Sequence, residues 1–390
     1  MSKFMKSLCK IAIPVTLQSM LQASFSIIDQ VMIGQLGETN IAAVGLCGNF
    51  SLIFSVVIGA VGTVAGILMA QFIGADDSKE VWCSFDISLI CGLIISAIFL
   101  FASGLFPAQI LGLYTKDMRI INVGAIYFKI IAFSYVPMAV SIILSSWLRC
   151  KEYAAISLLA SFGAVVVNTG LNYILIFGKF RFASMGIKGA AIATLISQLF
   201  NLVCISIGFM VCIQKDEDKP VLAFHFEKIS LRDYFIMIMP ILVSEFLWSL
   251  GQNVESAVYG HLGTSNLAAY TLTCPIQGLI VGALSGLSAA AGVMVGKRLG
   301  RKEYDEAYTE SKKIMYAGLI GAVVVSALLI LLSGTYTSLY RVDYSVKELG
   351  KILLIIFALY APVKLENMIL GGGIIRSGGN TKIIMVIDII

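Results

Sequence analysis

The chain is a succession of long apolar runs joined by short polar connections. Seven runs carry no charge, and each is about as long as, or longer than, the ~18–20 residues that cross a bilayer as a helix; they cover residues 39–75, 87–115, 130–148, 154–178, 189–214, 262–296 and 314–340. None alternates between polar and apolar positions with the period of two typical of a membrane β-barrel. The pattern therefore predicts an all-α polytopic membrane protein with helices at 11–33, 47–72, 86–106, 121–147, 154–177, 188–213, 235–259, 267–296, 314–333 and 349–373, and one more that begins near 382.

Composition supports this class and argues against several others. Of the 390 residues, 58% are hydrophobic and 13% are charged, whereas about a quarter of a soluble domain is charged. The eight cysteines are scattered and the two histidines are far apart, so we expect no metal cluster, no disulfide framework and no cofactor. No nucleophile, base and orienting group can be assembled, which argues against an enzyme. The net charge of +5 reflects lysines and arginines at membrane boundaries rather than a nucleic-acid surface.

The first predicted helix has a counterpart far along the chain. Residues 14–37, PVTLQSMLQASFSIIDQVMIGQLG, return 226 positions later as residues 240–263, PILVSEFLWSLGQNVESAVYGHLG, with Asp29 aligned to Glu255. A repeat of this length in a membrane chain is typical of a transporter built from two homologous halves. We therefore predict three parts: an amino-terminal lobe of six helices (1–213), a cytoplasmic linker (214–233) and a carboxyl-terminal lobe (234–390).

The second half is shorter than the first. Arg149 in LRCKEY and Arg376 in IRSGGNTK are counterparts in the repeat, shifted by one position. Ile390 therefore corresponds to a point early in the fifth helix of the first half. If the halves are equal, roughly sixty residues and nearly two helices are absent relative to a complete duplication. We expect an incomplete carboxyl lobe of four helices and the start of a fifth.

Polar residues inside the apolar runs are the candidates for function. An ionisable group at membrane depth costs a few kcal/mol, so Asp29 is either functional or close enough to the interface to be solvated. Gln22 lies in the same sector of the helical wheel. Asn168 and Asn172 share one face of the helix at 154–177, where two amides can ligate a cation or bridge helices.

The second half carries its own polar positions. Gln252 lies in a polar stripe on the helix at 235–259, and Glu255 lies at the edge of that stripe. Glu245, deeper in the same helix, can line a cavity or form a structural pair. Glu366 interrupts the apolar run at 349–373 and needs a partner or water.

Taken with the duplication and Asp29, the segments LRCKEY, VNTGLNYILIFGKFRFASMGIKGAAIATLISQ and IRSGGNTK give the chain its family likeness. Over its whole length it resembles the multidrug and toxic compound extrusion (MATE) family. The resemblance implies two six-helix lobes related by pseudo-two-fold symmetry around a central cavity. It also implies export of small organic cations, drugs or toxic metabolites in exchange for Na⁺ or H⁺, by alternating access in a bacterial-type cytoplasmic membrane. We expect a monomer.

The resemblance also assigns residues in the amino lobe. Asp29 matches the first-helix carboxylate that takes part in cation coupling, and Asn168 matches a fifth-helix asparagine of the same cluster. Thr194 matches its sixth-helix threonine. Many members have an aspartate where this chain has Asn172, so the site here has one carboxylate fewer. The only metal ion expected is a Na⁺ at Asp29.

In the carboxyl lobe, Glu245 resembles the seventh-helix acid of many members. Glu366 falls within a residue of the tenth-helix acid. With Gln22, Gln252 and Glu255, these acids are the candidates for lining the substrate cavity.

Two alternatives to a cation exporter stay open. A flippase for lipid-linked saccharides has similar helices, but it would favour a basic central cavity, and here the acids within helices outnumber the bases. A membrane scaffold or receptor is a third hypothesis, although the linker is too short for a sensory domain.

The distribution of basic residues predicts orientation. The amino terminus and the connections on its side hold eighteen lysines and arginines, against eight on the opposite side. Basic residues accumulate in cytoplasmic loops, so the amino terminus should be cytoplasmic.

Cysteine labelling of intact cells tests this orientation. In a background without the eight native cysteines, Gln35→Cys should react with a membrane-impermeant maleimide from outside, because the 34–46 connection is predicted to be external. Asp218→Cys in the linker should react only after the membrane is opened. The opposite pattern would refute the predicted topology.

Overall fold

A computed structural model describes residues 3–180, 183–215, 231–262, 264–338 and 343–389. Most of the predicted linker, residues 216–230, lies outside this part of the chain. The described helices are α1 (Lys3–Gly34), α2 (Glu38–Gly74), α3 (Ser78–Leu105), α4 (Pro107–Gly112), α5 (Met118–Ile131), α6 (Tyr135–Cys150), α7 (Ala154–Phe177), α8 (Ile187–Lys215), α9 (Leu231–His261), α10 (Thr264–Gly300), α11 (Tyr304–Ser338), α12 (Tyr344–Ile369) and α13 (Thr381–Ile389).

The predicted all-α membrane fold is confirmed. Within the described residues, nine helical segments are long and apolar enough to cross a membrane. Each of the ten predicted helices coincides with a helical segment of the structure, and the last prediction coincides with α13. The bounds of α7 are those predicted, because Gly178 follows it in the left-handed conformation, with φ of +66°, which ends the helix.

Most other helices extend beyond the predicted bounds. α2 begins at Glu38 rather than 47, and α11 begins at Tyr304 rather than 314. For α11 the added residues, 304–313, are rich in charge, so an apolar pattern does not mark them. For α2 the added residues after Glu38 are uncharged and belong to the apolar run at 39–75.

Proline explains two local differences from the prediction. The predicted helix at 121–147 is interrupted by a 3₁₀ turn at Ala132–Ser134, because Pro137 lacks an N–H and its ring displaces the carbonyl four residues earlier. The 107–119 connection contains the short helix α4, which has Pro107 at its first position, where the missing N–H costs nothing.

The second half contains a wide helical turn that the described helices of the first half lack. α12 continues into a π-helix, Leu370–Ile375, with the sequence LGGGII. The segment from Pro362 to Arg376 is two residues longer than the one from Pro137 to Arg149. A π turn accommodates additional residues within a helix.

The chain forms two compact units. The carboxyl unit comprises Met1–Ala23, Ala70–Asp76 and Arg232–Ile390. Its core lies between α10, α11 and α12 and includes Leu284, Ala322, Leu354, Ala358 and Leu365. The amino unit comprises Ser24–Met69 and Asp77–Leu231. In this unit α3, α6 and α8 share an aromatic cluster of Trp82, Phe85, Trp147 and Phe209.

Within the carboxyl unit, the last turns of α2 and α10 cross at two glycines. A Cβ added to Gly74 would overlap the backbone carbonyl oxygen of Lys297, and one added to Gly300 would overlap that of Gln71. Gly74 and Gly300 are 226 positions apart, and so are Gln71 and Lys297. The repeat therefore makes the same contact twice, and each copy requires a glycine.

We expect Gly74→Ala and Gly300→Ala each to destabilise the protein by about 1–3 kcal/mol, because the added methyl group forces two backbones apart. Thermal unfolding in detergent measures the effect as a lower Tm. Gly66→Ala in the same helix is the matched control, since a Cβ there meets nothing within 4 Å. Equal melting temperatures for Gly74→Ala, Gly300→Ala and the wild type would contradict the crossing.

Candidate cation-coupling site

A carboxylate and two amides form a hydrogen-bonded cluster in the amino unit. Asp29 lies near the end of α1, and Asn168 and Asn172 lie one turn apart on α7. Nδ2 of Asn172 donates to Oδ1 of Asp29 at 2.5 Å and to Oδ1 of Asn168 at 3.0 Å. The structure thus brings together three residues of which two, Asp29 and Asn172, are 143 positions apart in the sequence.

Two hydroxyl groups of α8 extend this cluster. Nδ2 of Asn168 donates to Oγ1 of Thr194 at 3.5 Å and to Oγ of Ser197 at 3.4 Å. Both hydroxyls donate their own protons to backbone carbonyls one turn earlier, at 3.0 Å for Thr194 and 2.8 Å for Ser197. Their lone pairs are therefore free to accept from Asn168, and the chain of hydrogen bonds runs from α1 through α7 to α8.

The cluster is largely withdrawn from the surface. Asn172 is 1% exposed and Asn168 is 7% exposed, while Asp29 is half-buried. The buried Oδ1 of Asn172 has no hydrogen-bond partner among the described residues. Carboxylate, amide and hydroxyl oxygens are hard ligands of the kind that Na⁺ prefers, so these oxygens fit a Na⁺ ion, and the carboxylate alone can hold a proton.

One described member of the site was missed by sequence reasoning. Ser197 is 4% exposed and lies one turn after Thr194, so the i, i+3 spacing from a predicted site residue was the available signal.

Glu245 forms an ion pair in the carboxyl unit. Nη1 of Arg376 donates to Oε1 of Glu245 at 3.2 Å, and the two side chains are 14% and 38% exposed. The segment after the π-helix is held by two further bonds, from Gln71 Nε2 to the Ser377 carbonyl at 2.6 Å and from Thr381 Oγ1 to the Met237 carbonyl at 3.0 Å. Of the two roles the sequence allows for Glu245, the structure gives the pairing.

The remaining predicted cavity residues differ in their exposure. Gln22 and Glu255 are exposed, and Gln252 is half-buried. Glu366 is half-buried on α12, and its buried Oε1 has no hydrogen-bond partner in the described part of the chain. That oxygen lies against Gly318 of α11, where a Cβ would come within 2.8 Å.

Comparison with known proteins connects this geometry to a family. The model of the MatE family matches residues 14–174 and again residues 240–390. The chain belongs to the MatE family. The two matches begin 226 positions apart, which is the offset of the internal repeat, and the family is one of multi-pass membrane transporters.

Relatives of this MatE protein match it over nearly its whole length. The "Uncharacterized transporter YisQ" of Bacillus subtilis (strain 168) is 22% identical and covers 96% of this chain and 82% of its own length. The "Probable multidrug resistance protein NorM" of Thermotoga maritima is 23% identical, and the match covers 99% of this chain and 82% of the relative.

Solved structures share the fold. An outward-facing multidrug resistance MATE transporter of the MOP superfamily superposes with a TM-score of 0.88 at 18% identity. A MATE structure in the straight conformation gives a TM-score of 0.83 at 19% identity. Each covers 100% of this chain, which covers 86% of each of them.

A double-mutant cycle tests the ion pair. We expect Glu245→Gln and Arg376→Gln each to lower stability by about 1–3 kcal/mol, because each leaves a partly buried group without its partner. The double variant should lose less than the sum of the two, as measured by thermal unfolding in detergent.

The exposed pair Asp117 and Arg119, 3.3 Å apart and 37% and 84% exposed, provides the control. Its cycle should show no coupling, because water screens both groups. Additive losses at Glu245 and Arg376 would show that the two side chains do not depend on each other.

Proposed function

We propose that this chain is a secondary active antiporter that exports small organic cations, drugs or toxic metabolites across the cytoplasmic membrane in exchange for Na⁺ or H⁺. In this proposal the lobes at 1–213 and 234–390 alternate access, the amino terminus is cytoplasmic and the transporter is a monomer. The observation that carries it is the Asp29 carboxylate, which is hydrogen-bonded to Asn172 within a membrane-spanning unit.

The donor set of this cluster suits a coupling ion. Carboxylates are rare in membrane helices and mark ion pathways when they occur. Among the described residues, the polar groups bonded into the Asp29 cluster are neutral amides and hydroxyls rather than a lysine or arginine. The cluster therefore has a single negative charge available for a monovalent cation or a proton.

Coupling requires that ion and substrate each change the affinity for the other. A coupling free energy of this kind is reciprocal, so an ion bound at Asp29 that disfavours the substrate-bound state is itself released when substrate binds. The hydrogen bonds from Asn172 to both Asp29 and Asn168 link α1 to α7. Occupancy of the carboxylate can thereby change the packing of two helices.

The comparisons support export over the lipid-linked saccharide flippase. Relatives such as the Thermotoga maritima protein carry the name of multidrug resistance proteins. The acids within the helices of this chain, Asp29, Glu255 and Glu366, also suit a cationic substrate better than an anionic one.

Gradient-driven uptake tests the role of Asp29. We expect Asp29→Asn to abolish uptake of a fluorescent organic cation into inverted vesicles under an imposed Na⁺ or H⁺ gradient, because the variant cannot take up a proton and lacks the negative charge that compensates Na⁺. Wild-type vesicles given each gradient separately identify the coupling ion. Immunoblotting of the membranes should show unchanged insertion.

Asp117→Asn is the matched control, since Asp117 caps α5 outside the apolar spans and asparagine is an equally good cap. It should transport like the wild type. Gradient-driven uptake by Asp29→Asn at the wild-type rate would show that the carboxylate is structural and would refute the coupling proposal.

A further inference from the structure

The carboxyl-terminal half of α9 presents aromatic and polar side chains on one side. Trp248, Gln252, Glu255 and Tyr259 follow one another at intervals of four, three and four residues, which places them in one sector of the helix. Trp248 is 62% exposed and Glu255 is exposed, whereas Gln252 and Tyr259 are half-buried. This sector is therefore only partly used in packing, in contrast to the first half of α9, where Tyr234 is fully buried.

The ring of Tyr259 packs against a second aromatic ring of the same unit. It stacks on Tyr270 of α10 with ring centroids 4.5 Å apart and an angle of 14° between the planes. Tyr270 is itself buried, at 8% exposure. One face of the Tyr259 ring is thus covered and oriented, and the half-burial of this residue leaves part of the ring accessible to a ligand.

Glu255 lies one helical turn before Tyr259 on the same sector. Its charge lies within electrostatic range of the Tyr270 hydroxyl and the Cys274 thiol. No described lysine or arginine forms an ion pair with it, in contrast to Glu245 of the same helix, which is paired with Arg376. Glu255 is therefore an exposed carboxylate next to an oriented aromatic pair.

The surroundings of the two corresponding acids differ between the halves of the repeat. Glu255 is the counterpart of Asp29, but Tyr259 and Tyr270 correspond to Ile33 and Val44. The first copy of the acid is satisfied by the amide of Asn172. The second copy has aromatic neighbours where the first has aliphatic ones, so the two carboxylates have acquired different chemistry.

We propose that Glu255 and the Tyr259–Tyr270 stack form a binding site for hydrophobic organic cations. The carboxylate compensates the charge of the ligand, and the accessible face of Tyr259 attracts the cation through its ring quadrupole. The site shares no residue with the Asp29 cluster. The inference rests on the proposed function, because it names where the exported cation binds.

Trp248 supplies an independent signal. It lies seven residues before Glu255, about 10 Å along the helix, within reach of a large aromatic ligand held at the carboxylate. The other two tryptophans, Trp82 and Trp147, are buried in the amino unit, at 4% and 0% exposure. Ligand-induced quenching should therefore come from Trp248 and disappear in Trp248→Phe.

The test measures binding of tetraphenylphosphonium to the purified full chain in detergent, by equilibrium dialysis and by Trp248 fluorescence. We expect Glu255→Gln to weaken binding by about tenfold or more, since the compensating charge is lost. Tyr259→Leu should weaken it by about three- to tenfold. Glu255→Asp and Tyr259→Phe keep the charge and the ring, and both should retain most of the affinity.

Matched controls separate this site from general effects. Glu348→Gln on α12 and Tyr344→Leu, whose side chain is 77% exposed, should bind like the wild type. Tetraphenylborate has the same shape and the opposite charge, so Glu255→Gln should not weaken its binding. Unchanged melting temperatures exclude unfolding as the cause.

The outcomes distinguish this inference from the proposed function. If Asp29→Asn loses gradient-driven uptake but binds tetraphenylphosphonium in a Glu255-dependent manner, both stand. If Asp29→Asn still transports while Glu255→Gln binds weakly, the coupling proposal fails and the cation site stands. Wild-type affinity in both Glu255→Gln and Tyr259→Leu, or no binding of the phosphonium by the wild type, overturns the site.

Discussion

The hydrogen bond between Asn172 and Asp29 gives a half-buried carboxylate a neutral partner on another helix. A polar group withdrawn from water needs such a partner within the protein. In the amino unit this requirement joins α1 to α7, and the second hydrogen of the same amide joins Asp29 indirectly to Asn168 and α8. The positions of three helices are thus tied to one acidic side chain, and any change in its protonation or ion occupancy acts on all three.

Acidic residues of this chain meet the same requirement in different ways. Asp29 has a neutral partner, so the negative charge of its cluster remains available. Glu245 has a guanidinium partner, which cancels its charge and leaves a structural contact between α9 and the segment after the π-helix. Glu255 stays exposed beside stacked tyrosines. The type of partner, rather than the acid itself, determines whether the charge can serve a ligand.

Sequence predicted the helices well because hydrocarbon imposes length and composition on each of them. The shared face of Asn168 and Asn172 followed from their spacing, whereas their association with Asp29 and Thr194 was implied by the family resemblance. The sequence did not predict most helix ends, because helices continue into segments that an apolar pattern does not delimit, nor the 3₁₀ turn that depends on one proline. The contact of Glu245 with Arg376, 131 residues away, depends on tertiary packing, for which no local pattern exists.

The π-helix shows how a duplicated gene can diverge without losing its fold. Extra residues inside an α-helix would normally rotate all later side chains onto another face of the helix. Here the glycine-containing π turn accommodates the extra residues, so the side chains beyond it keep their orientation. Downstream of it, Arg376 contacts Glu245, whose counterpart in the first copy is Ser19. The second copy therefore has a charged contact for which the first copy lacks the acidic residue, so the two halves share a fold while different interactions hold corresponding positions together.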